Sequence, residues 1–329
     1  MNQSEKCLVT GAAGFIGFHL ARKLQKTGAQ VICVDNYSRG KRDKSVENFI
    51  KNSNVLWIEG DLNENSFVER LPEEINYVFH LATVNGTGLF YSKPFEVFTS
   101  TILPTLNLIR KYGKVRNIKR FFLAGSSESY ASITHRGWYP IPTDEKVPLG
   151  IETILNNRWS YGSGKLAAEA AIAASGSQFG VNWTVGRFHN VYGPRMGDNH
   201  FIPDFIERIA KDQFELHGWQ NTRAFTYIDD ILDQVINVTE SEKTLKSIIN
   251  LGSENEIRII EIAKLILDIC GISKKITVYN SPEGSAMRRC PDMTLYRTLI
   301  GNYSETPLRI GLSKTIEWYA PQLLKVNDQ

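Results

Sequence analysis

The 329-residue sequence predicts an α/β protein with a doubly wound parallel sheet and a smaller C-terminal α/β lobe. Three observations predict it. Short runs rich in Val, Ile and Phe alternate with amphipathic segments through the first half. A glycine triplet joins the first run to the first amphipathic segment. Beyond Pro194 the alternation gives way to helices separated by loops. The strands expected are Lys6–Thr10, Gln30–Asp35, Val55–Glu59, Tyr77–Leu81, Arg120–Ala124, Asn182–Arg187 and Ser247–Leu251, with helices at Phe15–Lys26, Ser66–Leu71 and Glu96–Tyr112. Thr134–Trp159, with three prolines, reads as a loop. Helices are expected again at Pro203–Lys211, Ile259–Cys270 and Ser313–Tyr319. The sheet domain is therefore expected over 1–193, with a return segment near 226–252, and the lobe over 194–225 and 253–329.

Composition excludes several classes. A 42% apolar and 22% charged chain is ordinary for a soluble globular protein, and a net charge of +3 implies no nucleic-acid partner. Cys7, Cys33, Cys270 and Cys290 form no C-x-x-C, and the six histidines share no ligand spacing, so neither a disulfide framework nor a metal site is expected. No signal peptide or membrane-crossing run is read, and a cytoplasmic protein is expected.

The glycines stand as G-x-x-G-x-x-G at Gly11, Gly14 and Gly17, between a strand and a helix. Gly11 permits the tight turn, Gly14 lets backbone approach a pyrophosphate, and Gly17 lets helix pack on strand. Phosphates then meet the amides of Ala13, Phe15 and Ile16 and the positive helix end. This is a Rossmann-type dinucleotide loop. Asp35, ending the second strand and followed by Asn36 and Ser38, is suited to accept from ribose hydroxyls, which selects NAD. Arg39, Lys41 and Arg42 offer an opposing signal for the 2′-phosphate of NADP, but the Asp35 carboxylate repels it. Asp61 with Leu62 fits an adenine contact or a helix N-cap, and Leu81, Ala82 and Thr83 follow the fourth strand toward the nicotinamide half.

Tyr161 and Lys165 lie one helical turn apart and share a face. A lysine ammonium there favours phenolate, lowers the tyrosine pKa toward neutrality and makes Tyr161 a base for an alcohol whose hydride leaves for the cofactor. Ser126, in Gly125-Ser126-Ser127-Glu128, ends a sheet strand and is suited to relay that proton.

These residues resemble the extended short-chain dehydrogenases/reductases of the nucleotide-sugar epimerase, dehydratase and decarboxylase group. The matching pieces occur in family order: GAAGFIG, VDNYSRG, GDL at 60–62, HLA at 80–82, GSSESY, YGSGK, RFHNVYGPR at 187–195, RAFTYIDD at 223–230 and RRCPD at 288–292. The resemblance implies that Tyr161 is the base, Lys165 its partner and ribose ligand, and Ser126 the contact to the sugar C4 oxygen. It implies that Asn190, Arg223 and Arg289 hold a nucleoside diphosphate and that His189 lies beside the nicotinamide, or is a histidine satisfied by backbone. Asn85, in the departing stretch 83–88, is expected in the sugar pocket.

Oxidation at C4 makes a C6 carboxylate a β-keto acid. Dehydratases of the group carry Asp where Ser127 stands, so 4,6-dehydration is disfavoured; Ser126-Ser127-Glu128 matches the decarboxylases. Arg158 is expected to meet a substrate carboxylate, or to be a surface arginine. Glu128 is read as a base beside the ketone or as a structural acceptor. Decarboxylation and 4-epimerisation both stay open. A dinucleotide sensor is the reading from another class, disfavoured because a sensor needs no proton relay. A homodimer is expected through the alanine-rich Tyr161 helix, which alternatively packs on its own sheet.

Overall fold

The computed structural model describes residues 1–115, 117–135, 137–197, 200–281 and 286–324. In chain order the elements are β1 Lys6–Thr10, α1 Phe15–Lys26, β2 Gln30–Asp35, α2 Lys44–Ile50, β3 Val55–Glu59, α3 Asn65–Glu69, β4 Tyr77–His80, α4 Thr87–Ser92, α5 Pro94–Tyr112, β5 Arg120–Ser126 and α6 Glu128–His135. A 3₁₀ turn at Asn157–Trp159 leads into α7 Ser160–Gln178, followed by β6 Trp183–Phe188, β7 Val191–Tyr192, α8 Phe201–Ala210, β8 Glu215–His217, β9 Thr222–Ala224, β10 Thr226–Tyr227 and α9 Ile228–Glu240. Then come β11 Ser247–Leu251, β12 Glu256–Arg258, α10 Ile259–Ile269, β13 Thr277–Tyr279, β14 Arg288–Arg289, α11 Thr294–Leu299 and α12 Leu308–Leu324.

The main sheet runs β3-β2-β1-β4-β5-β6-β11. The pairs β2–β3, β1–β2, β1–β4, β4–β5 and β5–β6 are all parallel. Its apolar strand residues, such as Leu8, Val34, Val78, Phe121 and Val185, belong to one buried cluster with helix residues Leu108, Ala168 and Ile172. The strand order reverses direction between β2 and β4 about β1. Such a switch point opens a crevice at the strand carboxyl ends, which fixes where a ligand binds.

The chain forms two compact units. The first comprises Met1–Ser132, Pro148–Phe188 and Leu232–Ile249. The second comprises Ile133–Val147, His189–Ile231 and Asn250–Gln329, so it also takes in the segment after α6. Within it β9 pairs antiparallel with β12 and parallel with β14, while β7–β10 and β8–β13 make two small parallel pairs. Ile259, Ile262, Ala263 and Ile266 of α10 are buried at helical spacing. Gly311 gives Tyr192 room: a Cβ there would lie 2.2 Å from the tyrosine hydroxyl.

Three expectations need correction. Glu128–His135 is helical where a strand-end turn and loop were read, because the Ser126 hydroxyl accepts the Glu128 N–H at 3.2 Å and starts a helix directly after β5. Within the expected loop 134–159, Arg136 lies outside the described residues. The return segment contains helix α9 before β11, its apolar residues Ile231, Leu232, Val235 and Val238 spaced for burial of one face. Strand β4 stops at His80, since the Leu81 and Ala82 amides both turn to donate to Thr10 Oγ1 at 3.2 Å.

Candidate active site

The glycine loop is held by backbone. Gly11 (φ +70°) leaves no room for a side chain, whose Cβ would sit 2.9 Å from the Ala82 nitrogen. At Gly17 a Cβ would lie 2.1 Å from the Gly11 carbonyl oxygen, which is what brings α1 close to β1. Helix α1 begins at Gly14 with no side-chain cap, leaving the helix start to an anionic ligand. The Asp35 carboxylate accepts from the Ala13 N–H at 2.9 Å and the Tyr37 N–H at 2.7 Å, tying the loop to the end of β2.

A cleft lies over this loop. Gly11, Gly14, Asp35, Asn36, Ser38, Asp61, Leu62, Leu81, Ala82 and Thr83, all expected from sequence, line it. The sequence reading missed Ser100 and Pro104 on its wall, where Pro104 within α5 forgoes a helical N–H. Asp61 is not the N-cap of α3, which is Glu64; it accepts from the Asn63 N–H at 2.8 Å in a local turn. Arg39 also lines the cleft, its guanidinium approaching Gly86. Tight glycines, an uncapped helix start and a carboxylate at the second strand end fit a dinucleotide.

His80, 2% exposed, hydrogen-bonds Thr10 Oγ1 at 2.8 Å and Thr105 Oγ1 at 3.1 Å. Burial pushes its pKa down to about 3, with the Lys165 charge adding to the shift, so it is neutral. This braces the carboxyl ends of β1 and β4 against α5. Sequence reasoning missed it, though a histidine inside an apolar strand was the available signal.

Tyr161 and Lys165 are buried at the start of α7. Lys165 Nζ donates to the Ala124 carbonyl oxygen at 2.8 Å and lies 5.6 Å from the Tyr161 ring centre. Burial lowers the Lys165 pKa to about 8, opposed by the charge of Glu169. Tyr161 does not have the lowered pKa expected: burial raises it well above the ordinary tyrosine value, and the Glu128 charge raises it further. A hydrogen bond with Ser126 and the charge of Arg39 pull the other way. In the protein alone Tyr161 is therefore a phenol, because desolvation outweighs the nearby cations.

Phe90 of α4 stacks on Tyr161, ring centres 5.5 Å apart and planes within 8°. No sequence motif marked it. Arg158, expected to meet a substrate carboxylate or to be a surface arginine, is partly buried, and its Nη1 and Nη2 donate to the two Glu128 carboxylate oxygens at 2.8 and 3.1 Å. Ser127 donates its N–H to the Phe188 carbonyl oxygen at 3.0 Å, fixing the β5 end on β6. Asn85 and Thr83 are partly buried, and Thr83 Oγ1 bonds Thr101 Oγ1 of α5 at 3.1 Å.

A second feature missed from sequence anchors these residues. Arg187 of β6 and Glu169 of α7 form an ion pair at 2.7 Å, with side chains 1% and 4% exposed. Ser129 Oγ donates to Glu169 at 2.9 Å, and Arg187 Nη1 donates to the Tyr130 hydroxyl at 2.7 Å. Burial alone would lower the Arg187 pKa, but the charge and hydrogen bonds of Glu169 raise it. The cluster joins α7, which carries Tyr161 and Lys165, to α6, which carries Glu128.

In the second unit, β9 and β14 place Arg223 and Arg289 opposite each other in register, so both project to one face. Arg223 donates to the carbonyl oxygens of Thr222 at 2.7 Å and Ala286 at 2.8 Å. Asn190 (φ +31°) donates through Nδ2 to the Ala224 carbonyl oxygen at 3.2 Å, beside Arg223 in the chain. His189, 2% exposed, bonds Asn250 Oδ1 at 3.1 Å and donates its N–H to the Leu251 carbonyl oxygen at 3.0 Å. Among the described residues no group of three or more His, Cys, Asp or Glu is placed to hold a metal ion.

Residues 7–252 match the family model of the NAD dependent epimerase/dehydratase family. The chain belongs to this family, an extended short-chain dehydrogenase/reductase group, and NAD is its cofactor. It is 30% identical over 323 residues to UDP-glucuronic acid decarboxylase 1 of Xenopus tropicalis, covering 97% of this chain and 73% of that protein. It is 32% identical to UDP-N-acetyl-alpha-D-glucosaminuronate decarboxylase of Bacillus cytotoxicus, covering 96% and 98%. Among solved structures, UDP-glucuronic acid 4-epimerase from Bacillus cereus, in complex with UDP-glucuronic acid and NAD, superposes with a TM-score of 0.85 at 26% identity, covering 96% and 99%. The chain is an enzyme of NAD-dependent nucleotide-sugar modification.

Proposed function

We propose that the enzyme oxidises a nucleoside-diphosphate hexuronate at C4 and releases its C6 carboxylate as CO₂. The observation that carries this reading is the Ser126-Ser127-Glu128 end of β5, with Glu128 paired to Arg158 as a carboxylate close to the buried Tyr161. The two decarboxylase relatives at 30 and 32% identity support it. NAD, when bound, would supply a reversible hydride acceptor for C4 and a positive ring that favours ionised Tyr161. Tyr161 receives the C4 hydroxyl proton, with Ser126 holding the same oxygen and Lys165 supplying positive charge. The ketone makes C6 a β-keto carboxylate. Its C5–C6 bond breaks, the electron pair enters an enolate, and C5 takes up a proton from solvent water. Return of hydride to C4 and of the proton from Tyr161 leaves a nucleoside-diphosphate pentose and CO₂, with no net change in the cofactor. Arg223 and Arg289 are proposed to take the diphosphate through charge-assisted bonds, with Asn190 beside them.

The second reading is 4-epimerisation, favoured by the likeness to the 4-epimerase that holds UDP-glucuronic acid. It needs the keto sugar to turn over before hydride returns. Incubation with UDP-glucuronate and UDP-N-acetylglucosaminuronate, followed by NMR and mass spectrometry, separates the two. Loss of CO₂ supports decarboxylation; C4 inversion with C6 retained overturns it. Tyr161→Phe should abolish turnover while NAD still binds, and normal turnover in that variant would overturn the base assignment; NAD binding with no turnover of any nucleotide sugar by the unmodified protein would instead favour a sensor.

A homodimer is also proposed. Tyr91, Phe95 and Leu103 of α4 and α5 are exposed apolar side chains suited to a second copy, and light scattering at micromolar concentration tests it. The free cysteines, three of them buried, suit the reducing cytoplasm. No helix among the described residues is long and apolar enough to cross a membrane.

A further inference from the structure

We propose that Arg158 is a positioning residue, which keeps the Glu128 charge off Tyr161 and braces the Tyr161 ring through Phe90, and that it is not the clamp for a substrate carboxylate. The inference rests on Tyr161 being the residue that takes the C4 proton.

The geometry is a continuous chain of contacts. The Arg158 fork meets both Glu128 oxygens, and the two side chains are 12% and 13% exposed, so the pair is poorly screened. The guanidinium carbon lies 5.2 Å from the Phe90 ring centre and 5.0 Å from that of Trp159. A planar, weakly hydrated cation over two rings gains from each, an arrangement lysine does not reproduce. Phe90 in turn stacks on Tyr161. The backbone is pinned as well: Arg158 donates its N–H to Asn156 Oδ1 at 3.0 Å, at the start of the 3₁₀ turn. A Cβ at Gly162 would lie 2.8 Å from the Glu128 carbonyl oxygen, so the first turn of α7 sits directly on the first residue of α6. Motion of Glu128 is thereby transmitted to Tyr161.

Five groups govern the charge at the Tyr161 hydroxyl. Ser126 bonds it from β5, and Glu128 opposes its ionisation from α6. Arg39, from the segment after β2, favours ionisation. Lys165 lies beneath the ring on α7, and Arg158 neutralises Glu128 from the 3₁₀ turn. Removing the Arg158 charge therefore removes that compensation of Glu128 and makes the phenolate harder to form. A base acts in its ionised form, so the acidic limb of the pH–rate profile moves to higher pH.

The test is the pH dependence of kcat and KM for Arg158→Met, Arg158→Lys, Glu128→Gln and the Arg158→Met/Glu128→Gln double variant, each checked for NAD binding and melting temperature. Arg158→Met is expected to raise the acidic limb by about one pH unit, lowering kcat about tenfold below the limb, with KM changed less than about threefold. Arg158→Lys restores the limb and only part of kcat, because charge returns without the two-ring fit. The double variant returns the limb to its original position. If Arg158→Met fails to fold, Glu128→Gln carries the test alone: its limb must fall, since Arg158 then acts on Tyr161 unopposed. An unmoved limb in Glu128→Gln overturns the proposal. So does an Arg158→Met enzyme whose limb is unmoved while KM for a uronate rises about tenfold or more, the signature of a substrate clamp. Turnover by Tyr161→Phe would instead overturn the reading on which the proposal rests.

Discussion

Replacing Glu169 by leucine strands the Arg187 guanidinium in the interior. Arg187 is 1% exposed and receives three contacts from Glu169, at 2.7, 3.1 and 3.3 Å. Removing one partner of a buried pair costs about 3–5 kcal/mol, because the remaining charge keeps its desolvation penalty without compensation. Ser129 loses its acceptor too, adding about 1 kcal/mol. A loss of about 4–6 kcal/mol is a large part of the roughly 5–15 kcal/mol that stabilises a folded protein. With m near 3 kcal/mol/M, the urea midpoint should fall by roughly 1.5 M. The double variant Glu169→Leu/Arg187→Met should recover most of the loss, since no charge is then buried. Activity offers an independent readout. Glu169 supports the charged form of Lys165, whose pKa is about 8, so its loss moves any alkaline limb due to Lys165 to lower pH. Urea unfolding followed by tryptophan fluorescence measures the first effect. A single-variant cost below about 1 kcal/mol, or a double variant worse than the sum of the singles, would refute the reasoning.

Other outcomes follow from the same structure. Gly17→Ala forces its Cβ to 2.1 Å from the Gly11 carbonyl oxygen, so the loop must open, and NAD affinity by fluorescence quenching should drop at least about tenfold. Asp35→Ala removes the acceptor of the Ala13 and Tyr37 amides and its repulsion of a 2′-phosphate; the ratio of NAD to NADP affinity should fall, and an unchanged ratio would count against the assignment. His80 has a folded-state pKa of about 3, below the usual value near 6.5. The unfolded chain therefore binds the extra proton, and this contribution is lost as pH falls from about 6.5 toward 3, at up to about 1.4 kcal/mol per pH unit. His80→Gln should lower stability at neutral pH and flatten that slope; parallel curves for the two proteins in thermal melts would contradict it.

Much of the sheet was legible because its strands report their own environment. A strand buried on both faces must be largely apolar, so β1 and β2 could be bounded to the residue, and the partly exposed edge strands β3 and β11 were bounded equally well by their own apolar runs. The short β7, β8, β9, β10, β12, β13 and β14 could not. Two or three residues carry no periodicity, and these strands exist only because a partner lies beside them. Helix α6 was hidden for a related reason, since its start depends on one hydroxyl at the end of β5.

The sequence by itself determined the dinucleotide loop, the acidic end of β2, the Tyr161–Lys165 spacing and hence the NAD-dependent class, because each is a local rule of chain geometry: a turn that admits only glycine, a strand end, one helical turn. Tertiary structure alone decided which charges meet. Glu128 and Arg158 are 30 residues apart, and Glu169 and Arg187 are 18 apart. Nothing in their spacing pairs them. Only packing brings these side chains together and removes the water that would otherwise separate them, giving Arg158 a partner in Glu128 and keeping Tyr161 protonated in the protein alone.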